Sequence, residues 1–424
     1  MRGFIFKLKK NQLLKVTGLN AVSTSIGYLS SLIINKIIAV FIGPSGLALL
    51  SQFQNFLSIS NIISTGGIQQ GIVKYVAEYK VDLSNRDKII SNSYAITIIC
   101  SVLSSLLGLL FAGQLSLMLF DSLAYKNIIS LLSITFIFFG FNSLVLSILN
   151  GLEEYKKLVL LNICTSILNL VLSSFLVYFY GLYGSIIAII VLQLIMSVIT
   201  FILSKSLLKH KKLFKINFQF KECKKLFGFT LMVLFSTISM SLLQIFIRNY
   251  IIYENSIIEA GYFDGINKIS TAYLGIITTT LSVYFLPKLS SLNNNVEVRV
   301  EVKRGFFYII PSLIFITVII YFFRTNIILA IYSIKFIKME NLFLYQLIGD
   351  IFKISSWLLG FVILSKAKIK MYIVTQLFYL LLSIILNMLL INNFGVIGSV
   401  YSHLLSYALL FFFILSILLK CRLI

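Results

Sequence analysis

The sequence predicts an all-α polytopic membrane protein with about 12 transmembrane helices in two six-helix lobes. Of its 424 residues, 59% are hydrophobic and only 12% are charged. A soluble domain carries about 45–50% apolar and about 25% charged residues. Stretches of roughly 20 mostly apolar residues, the length that spans a bilayer, recur along the whole chain. A soluble fold would have nothing against which to bury them.

Twelve apolar runs between polar breaks are the candidate spans. Their limits are 16–42, 47–77, 89–113, 128–150, 158–180, 182–204, 226–252, 262–287, 305–323, 344–365, 371–391 and 395–419. The basic segment before the first run is not expected to be part of a cleaved signal peptide. The run that follows it is too long, lacks a small-residue cleavage site and precedes many further spans.

The distribution of Lys and Arg predicts that both termini face the cytoplasm. In that orientation 27 of the 36 basic residues lie in cytoplasmic segments, four lie outside and five lie within spans. Lys and Arg resist translocation, so this bias sets the topology. The net charge of +22 therefore reflects topology and does not predict a nucleic-acid partner.

A lysine-rich loop at the midpoint predicts the domain organisation. It divides the chain into an N-terminal lobe, 1–204, a basic cytoplasmic linker, 205–225, and a C-terminal lobe, 226–424. Gly46 begins the second span and Gly261 begins the eighth, which is a weak sign of an internal repeat. Duplicated halves with a binding site between them are a common transporter plan. The linker either only anchors the topology or also binds anionic lipid headgroups.

Seven charged side chains fall within spans and are the candidate functional residues. They are the bases Lys36, Lys74, Arg248, Lys268 and Lys353 and the acids Asp264 and Asp350. A charge near the bilayer centre costs at least about 2.5–3.5 kcal/mol, so each side chain is expected to face a wet or paired interior.

Helical spacing pairs some of these charges. Lys353 follows Asp350 by three residues and Lys268 follows Asp264 by four, which places each pair on one helix face. Such pairs either gate or couple transport or are purely structural.

The other three bases differ in their local partners. Lys74 precedes Glu78 by four residues near a span end, so it pairs locally, snorkels or binds substrate. Lys36 and Arg248 have no acid at helical spacing. They either snorkel outward or are unpaired cations available to an anionic ligand.

The sign of the intramembrane charge favours an anionic substrate. Five bases against two acids leave an excess of about three positive charges in the interior. Exporters of cationic drugs need acids there, whereas Lys and Arg bind phosphate well. A phosphate or pyrophosphate group fits this interior.

An irregular stretch in the second span, 65–71, holds three glycines and two glutamines. It predicts a weakened helix. Freed backbone groups are tolerated where they line a cavity, and the alternative is close helix packing by small residues.

No catalytic or metal-binding constellation is evident. His210 lies in the linker and His403 in the last span, without a clustered carboxylate or cysteine, and the four cysteines are scattered. No phosphate-cradling Gly-Lys-Ser/Thr loop exists. We therefore expect a transporter rather than an enzyme, with no cofactor and no metal.

Several stretches carry a family resemblance in their order along the chain. They are NKIIAV at 35–40, GPSG at 43–46, VKYVAEY at 73–79, Asn150-Gly151, SVYFLP at 282–287, and QLIGD at 346–350 with Lys353, then Ala367 and Tyr372. They resemble the Wzx-type polysaccharide flippases, which include the O-antigen translocases and the flippases for lipid III of enterobacterial common antigen. These belong to the multidrug/oligosaccharidyl-lipid/polysaccharide exporter superfamily.

The resemblance implies two six-helix lobes around a V-shaped central cavity, working by alternating access in the bacterial inner membrane. Lys36, Lys74, Arg248, Asp350 and Lys353 fall at positions matching charged residues of that family. Asp264 and Lys268 depart from the pattern, which marks a difference in their role or in the substrate. A glycan polymerase and a chain-length regulator of the same pathway are the implied protein partners.

These observations lead to one leading hypothesis and two alternatives. The leading one is a flippase that moves an undecaprenyl-pyrophosphate-linked oligosaccharide, an O-antigen or related surface-glycan unit, from the cytoplasmic to the periplasmic leaflet. The first alternative exports a peptidoglycan lipid precursor or a small molecule. The second is a membrane-embedded glycan polymerase or transferase, against which the short external loops and the missing catalytic cluster count.

Overall fold

The computed structural model describes residues 23–80, 82–204, 220–292, 294–366 and 368–421. Regular structure in these ranges is helical throughout. The helices are α1 (Ser23–Phe41), α2 (Gly43–Ser64), α3 (Gln69–Glu78), α4 (Leu83–Leu110), α5 (Ala112–Phe120), α6 (Lys126–Gly151), α7 (Tyr155–Leu203), α8 (Phe220–Glu254), α9 (Ile257–Thr280), α10 (Leu286–Ser291), α11 (Asn295–Phe322), α12 (Arg324–Ile331), α13 (Phe343–Ser365), α14 (Ile369–Phe394) and α15 (Val396–Lys420). A π-helical turn, Leu281–Phe285, joins α9 to α10.

Nine helices in the described ranges are long and apolar enough to cross a membrane. One of them, α7, runs for 49 residues but is interrupted at Gly181, whose φ of 56° and ψ of −133° are not helical. This is where the sequence predicts the boundary between the spans 158–180 and 182–204. The all-α polytopic fold class is confirmed, and the count of twelve spans stays a prediction.

The exposed surface of the helices is that of a membrane protein. On α11, Phe307, Phe315 and Phe322 are 72%, 68% and 76% exposed. A soluble monomer rarely exposes a contiguous apolar patch of this kind. The chain is therefore a multi-pass membrane protein, and lipid covers this face.

The chain forms two compact units. The first holds residues up to Phe41 and Phe53–Ile238, and the second holds Ile42–Gln52 and Ser239–Ile424. The start of α2 therefore belongs to the second unit, where Ala48 joins the buried core. The predicted boundary within 205–225 stays a prediction, because 205–219 lie outside the described residues.

Backbone breaks recur at similar points of the two halves. Phe111 separates α4 from α5 with φ −99° and ψ 12°, and Phe323 separates α11 from α12 with φ −96° and ψ 12°. Gly181 in α7 and Gly395 between α14 and α15 both have positive φ, 56° and 61°. Phe323 follows Phe111, and Gly395 follows Gly181, by nearly the same number of residues. A duplicated helical unit produces this pattern.

The weakened stretch of the second predicted span is a real interruption. After α2 ends at Ser64, Gly66 and Gly67 adopt φ values of 66° and 63°, and α3 starts at Gln69. Left-handed backbone disfavours most residues with a Cβ, so glycine is strongly favoured at these two consecutive positions. Thr65 closes the turn by donating its hydroxyl to the Asn61 carbonyl at 2.9 Å.

Close helix packing around α13 positions the polar groups of the second unit. Ile354, Leu358 and Leu359 of α13 are buried in one core with Tyr407 and Leu410 of α15. Ser356 donates its hydroxyl to the Tyr407 carbonyl at 3.1 Å, between the two helices. In lipid, small residues and interhelical hydrogen bonds replace the hydrophobic effect as the force that joins helices.

Candidate functional site

The first polar cluster is a buried ion pair between α8 and α9. Arg248 donates from Nε to Asp264 Oδ2 and from Nη2 to Oδ1, both at 2.7 Å. Arg248 is 1% exposed and Asp264 4%. A two-point pair of this kind combines charge attraction with fixed geometry. Arg248 has no acid at helical spacing on its own helix, but the alternative in which it is an unpaired cation is wrong, because its acid lies on the next helix.

The turn between α8 and α9 explains the pairing. Ser256 caps α9 by accepting a hydrogen bond from the Glu259 amide at 3.3 Å, which reverses the chain within two residues of the end of α8. Arg248 and Asp264 lie eight residues before and after Ser256, so the hairpin brings them to the same depth. The sequence therefore does contain a pattern that predicts this ion pair. The pattern is the symmetric placement of the two residues about a cap residue, and spacing within one helix does not reveal it.

Lys268 lies one turn beyond Asp264 on α9. The expected Asp264–Lys268 ion pair is not formed in the described part of the chain, because Asp264 is already engaged on both oxygens by Arg248. Lys268 interacts with Asp264 and Arg248 only through longer-range charge. The three groups together carry one net positive charge.

Arg248 keeps one unused donor group. Its Nη1 atom is buried, with no hydrogen-bond partner among the described residues. A buried donor without a partner costs roughly 1–3 kcal/mol. An anion could bind there, although at 1% exposure the helices must first separate to admit it.

The second polar cluster centres on Asp350 of α13, which is fully buried. Its Oδ2 accepts hydrogen bonds from Ser270 Oγ at 2.5 Å and Tyr273 OH at 2.6 Å, both on α9. Its Oδ1 lies 3.0 Å from His403 Nε2 on α15. Three helices thus converge on one carboxyl group.

Gln346, one turn before Asp350, extends this cluster. Its Nε2 donates to Ser270 Oγ at 3.1 Å and lies 3.4 Å from His403 Nε2. The prediction that His403 has no carboxylate partner is wrong. The interaction joins residues 53 positions apart, which no spacing rule reveals.

Lys353 is held by aromatic rings instead of by Asp350. Its Nζ lies 5.4 Å from the ring centre of Trp357 and 5.6 Å from that of Tyr407. Cations over aromatic faces are stabilised by about 0.5–2 kcal/mol. The expected direct Asp350–Lys353 ion pair is absent from the described residues, because Ser270, Tyr273 and His403 occupy the carboxylate.

Gly349 is the residue that lets α13 and α15 meet. A Cβ atom at this position would lie 2.5 Å from His403 Cδ2 and 3.1 Å from the Leu404 Cα. Any larger residue would therefore push His403 away from Asp350.

The remaining predicted site residues lie in the first unit. Lys36 of α1 is half-buried, and Lys74 and Glu78 of α3 are exposed. Lys74 Nζ lies 4.8 Å from the ring centre of Tyr75. Their predicted roles in substrate binding and gating stay predictions.

A family model described as "polysaccharide biosynthesis protein" matches residues 13–293, more than half of the chain. The chain belongs to the polysaccharide biosynthesis protein family.

This polysaccharide biosynthesis protein also has relatives along most of its length. It is 27% identical over 395 residues to the lipid III flippase of Escherichia coli, covering 92% of this chain and 94% of the relative. It is 26% identical over 386 residues to an uncharacterized membrane protein of Methanocaldococcus jannaschii, covering 87% and 89%.

Solved structures place the family member in a known transporter fold. An inward-facing multidrug resistance MATE transporter of the MOP superfamily superposes with a TM-score of 0.77 at 15% identity, covering 93% of this chain and 95% of that one. The lipid II flippase MurJ, in an inward closed conformation, superposes with a TM-score of 0.74 at 16% identity, covering 96% and 87%. These likenesses show the fold.

Proposed function

We propose that this chain is a flippase for an undecaprenyl-pyrophosphate-linked oligosaccharide, an O-antigen or related surface-glycan unit. The observation that carries the proposal is the similarity to the lipid III flippase, which extends over 92% of this chain. The fold shared with a lipid II flippase supports it. The first is named as a lipid III flippase and the second as a lipid II flippase.

The charge of the spans suits such a substrate. Lys36, Lys74, Arg248, Lys268 and Lys353 are the proposed contacts for the pyrophosphate and glycan. A pyrophosphate diester carries about two negative charges, and moving them outward across about 100 mV, inside negative, is favourable by up to roughly 4–5 kcal/mol. The polyprenyl tail stays in lipid while the headgroup passes along a wet, cationic path, because bare hydrocarbon leaves polar groups unsatisfied.

The two buried clusters supply a means of control in this proposal. Arg248–Asp264 holds α8 to α9, and Asp350 with His403 holds α9, α13 and α15 together. Alternating access requires such contacts to break and reform, so each biases a conformational equilibrium. Asp350, with Asp264 and Glu78, is the proposed gating or ion-coupling acid.

The remaining parts of the proposal concern location and partners. The similarity to a flippase of Escherichia coli supports a location in the bacterial inner membrane, and the Lys and Arg bias supports an orientation with both termini in the cytoplasm. The chain acts as a transporter without bond chemistry. A glycan polymerase and a chain-length regulator of the same pathway are the proposed partners in the bilayer.

A deletion strain tests this function. Loss of the gene is expected to abolish surface glycan and to accumulate its lipid-linked unit on the cytoplasmic leaflet, with restoration by the plasmid-borne gene. Accumulation of a peptidoglycan lipid precursor would instead favour the exporter alternative. Glycan units that reach the outer leaflet but stay unpolymerised would favour the polymerase.

A further inference from the structure

A mainly apolar cavity of about 510 Å³ with charged groups in its wall lies in the second unit, between the π-helical turn and the start of α11. Its wall includes Tyr284 from the π-helical turn and Glu301, Arg304, Gly305 and Tyr308 from α11. None of these residues belongs to the two ionic clusters described above. The cavity is therefore a separate site.

The cavity sits at the depth of the lipid headgroups. The first ten residues of α11 carry five charges, and the charged positions stop at Arg304, from which the helix continues without charge to Phe322. Such a change marks the boundary of the hydrocarbon region. Gly305 lies at this boundary, where a Cβ would lie 3.0 Å from Phe285 Cε2, so glycine lets the π-helical turn approach α11. π-turns of this kind occur frequently at functional sites.

A buried carboxylate forms the inner part of the cavity. Glu301 is 6% exposed. Its Oε1 accepts a hydrogen bond from Tyr284 OH at 3.4 Å, and its Oε2 lies 3.7 Å from Arg304 Nη1. Both contacts are long, and an ionised carboxylate offers about four acceptor positions. The carboxylate can therefore accept further donors.

The charged side chains of the cavity lie at different depths. The negative Glu301 is buried, whereas the positive Arg304 guanidinium is mostly exposed at the rim. Tyr284 and Tyr308, both more than half exposed, add aromatic surface to the wall. Aromatic faces attract cations, and guanidinium groups bind phosphate with two parallel hydrogen bonds.

We propose that this cavity binds the headgroup of a zwitterionic phospholipid with a primary ammonium, of the phosphatidylethanolamine type. The ammonium reaches Glu301 and the tyrosine rings, and the phosphate lies on Arg304. The match in sign at both ends favours this ligand over an anionic lipid, whose headgroup has no cation for the buried carboxylate. The site would bind a structural or regulatory lipid of the bilayer rather than the transported molecule, so it stands independently of the proposed function.

Native mass spectrometry on the purified full-length protein tests the site, with phosphatidylethanolamine and phosphatidylglycerol of identical acyl chains as probes. We expect phosphatidylethanolamine to bind about tenfold more tightly, the ratio of one good charge-assisted contact. Glu301→Gln should remove that preference, while Glu297→Gln, an acid one turn earlier on the same helix, should keep it. Phosphatidylcholine, with no N–H donor on its cation, should bind less well than phosphatidylethanolamine.

Two further variants keep the test decisive if Glu301→Gln does not fold. Arg304→Ala and Tyr308→Ala alter exposed side chains, and each should weaken phosphatidylethanolamine binding several-fold. Equal binding of the two lipids by the wild type, or an unchanged preference in Glu301→Gln, overturns the proposal. So does competition by a soluble oligosaccharide, because the cavity would then be a glycan site.

Discussion

Arg248 and Asp264 form a buried two-point ion pair that joins two consecutive helices, with both hydrogen bonds at 2.7 Å. From the sequence, Arg248 has no acid at helical spacing, and Asp264 is expected to pair with Lys268. The structure makes them each other's partner, so the role of Arg248 must be tested together with that of Asp264.

Replacing either partner alone is expected to destabilise the protein strongly. Arg248→Ala or Asp264→Ala leaves an uncompensated buried charge, which costs about 3–5 kcal/mol in proteins. Thermal unfolding in detergent should show a lower Tm for both single variants. The double variant Arg248→Ala/Asp264→Ala should recover part of that loss.

Surface glycan in the same variants separates structure from substrate binding. If Arg248 binds the pyrophosphate, the double variant regains stability but not glycan display, and Arg248→Lys retains some display. Recovery of display along with stability would remove Arg248 from the list of substrate contacts.

How far the sequence predicts the site depends on the kind of contact. The span boundary at residue 181 and the weakened helix at 65–71 are predictable from the sequence, because glycine breaks a helix through local backbone geometry. Spacing within one helix pairs Asp264 with Lys268, whereas the observed partner, Arg248, is related to it by symmetry about the cap at Ser256. The contact of His403 with Asp350 is not predictable from local spacing, because it depends on the packing of α13 against α15.

The close contact between α13 and α15 predicts that a single added methyl group at Gly349 destabilises the protein. Gly349→Ala places a Cβ 2.5 Å from His403 Cδ2, and overpacking of this kind costs about 1–3 kcal/mol. Lower thermal stability and reduced glycan display are expected. Gly360→Ala on the same helix is the matched control, because no atom lies within 4 Å of its added Cβ. Equal behaviour of the two variants would contradict the packing argument.

If Asp350 carries the coupling proton, the response of transport to pH is expected to depend on this residue. The titratable or charged groups that interact with it are Tyr273 on α9, Lys353 on α13, Tyr379 on α14, and His403 and Tyr407 on α15. Asp350→Asn keeps the side-chain shape but cannot exchange a proton. Transport by this variant in vesicles should lose its dependence on an imposed pH gradient, and His403→Gln should weaken that dependence.

Ser270→Ala is the matched control for the pH measurement, since it removes a hydrogen bond to Asp350 without removing a titratable group. It is expected to lower the transport rate while keeping the pH response. A pH response in Asp350→Asn equal to that of the wild type would show that Asp350 is only structural.

The interruption between α2 and α3 makes a prediction about backbone strain. Gly67 has φ 63°, and an L-residue in that region costs about 1–2 kcal/mol. Gly67→Ala should therefore lower the Tm and the amount of folded protein in the membrane. Gly113→Ala is the control, because its Cβ would meet only Leu123 and Lys126 atoms at 3.9 Å. A neutral Gly67→Ala would mean that the turn is not strained by a side chain.

The measurement that tests the central claim most directly is translocation by the purified protein in vesicles. An undecaprenyl-pyrophosphate-linked oligosaccharide is placed in both leaflets, and an external glycosidase reports the fraction of headgroups on the outside. The account predicts that wild-type vesicles expose nearly all of the substrate with time, whereas Lys36→Ala vesicles and protein-free vesicles expose only the outer-leaflet share. An inner-leaflet pool that stays protected in wild-type vesicles, while a peptidoglycan lipid precursor or a small cationic drug crosses, would contradict it.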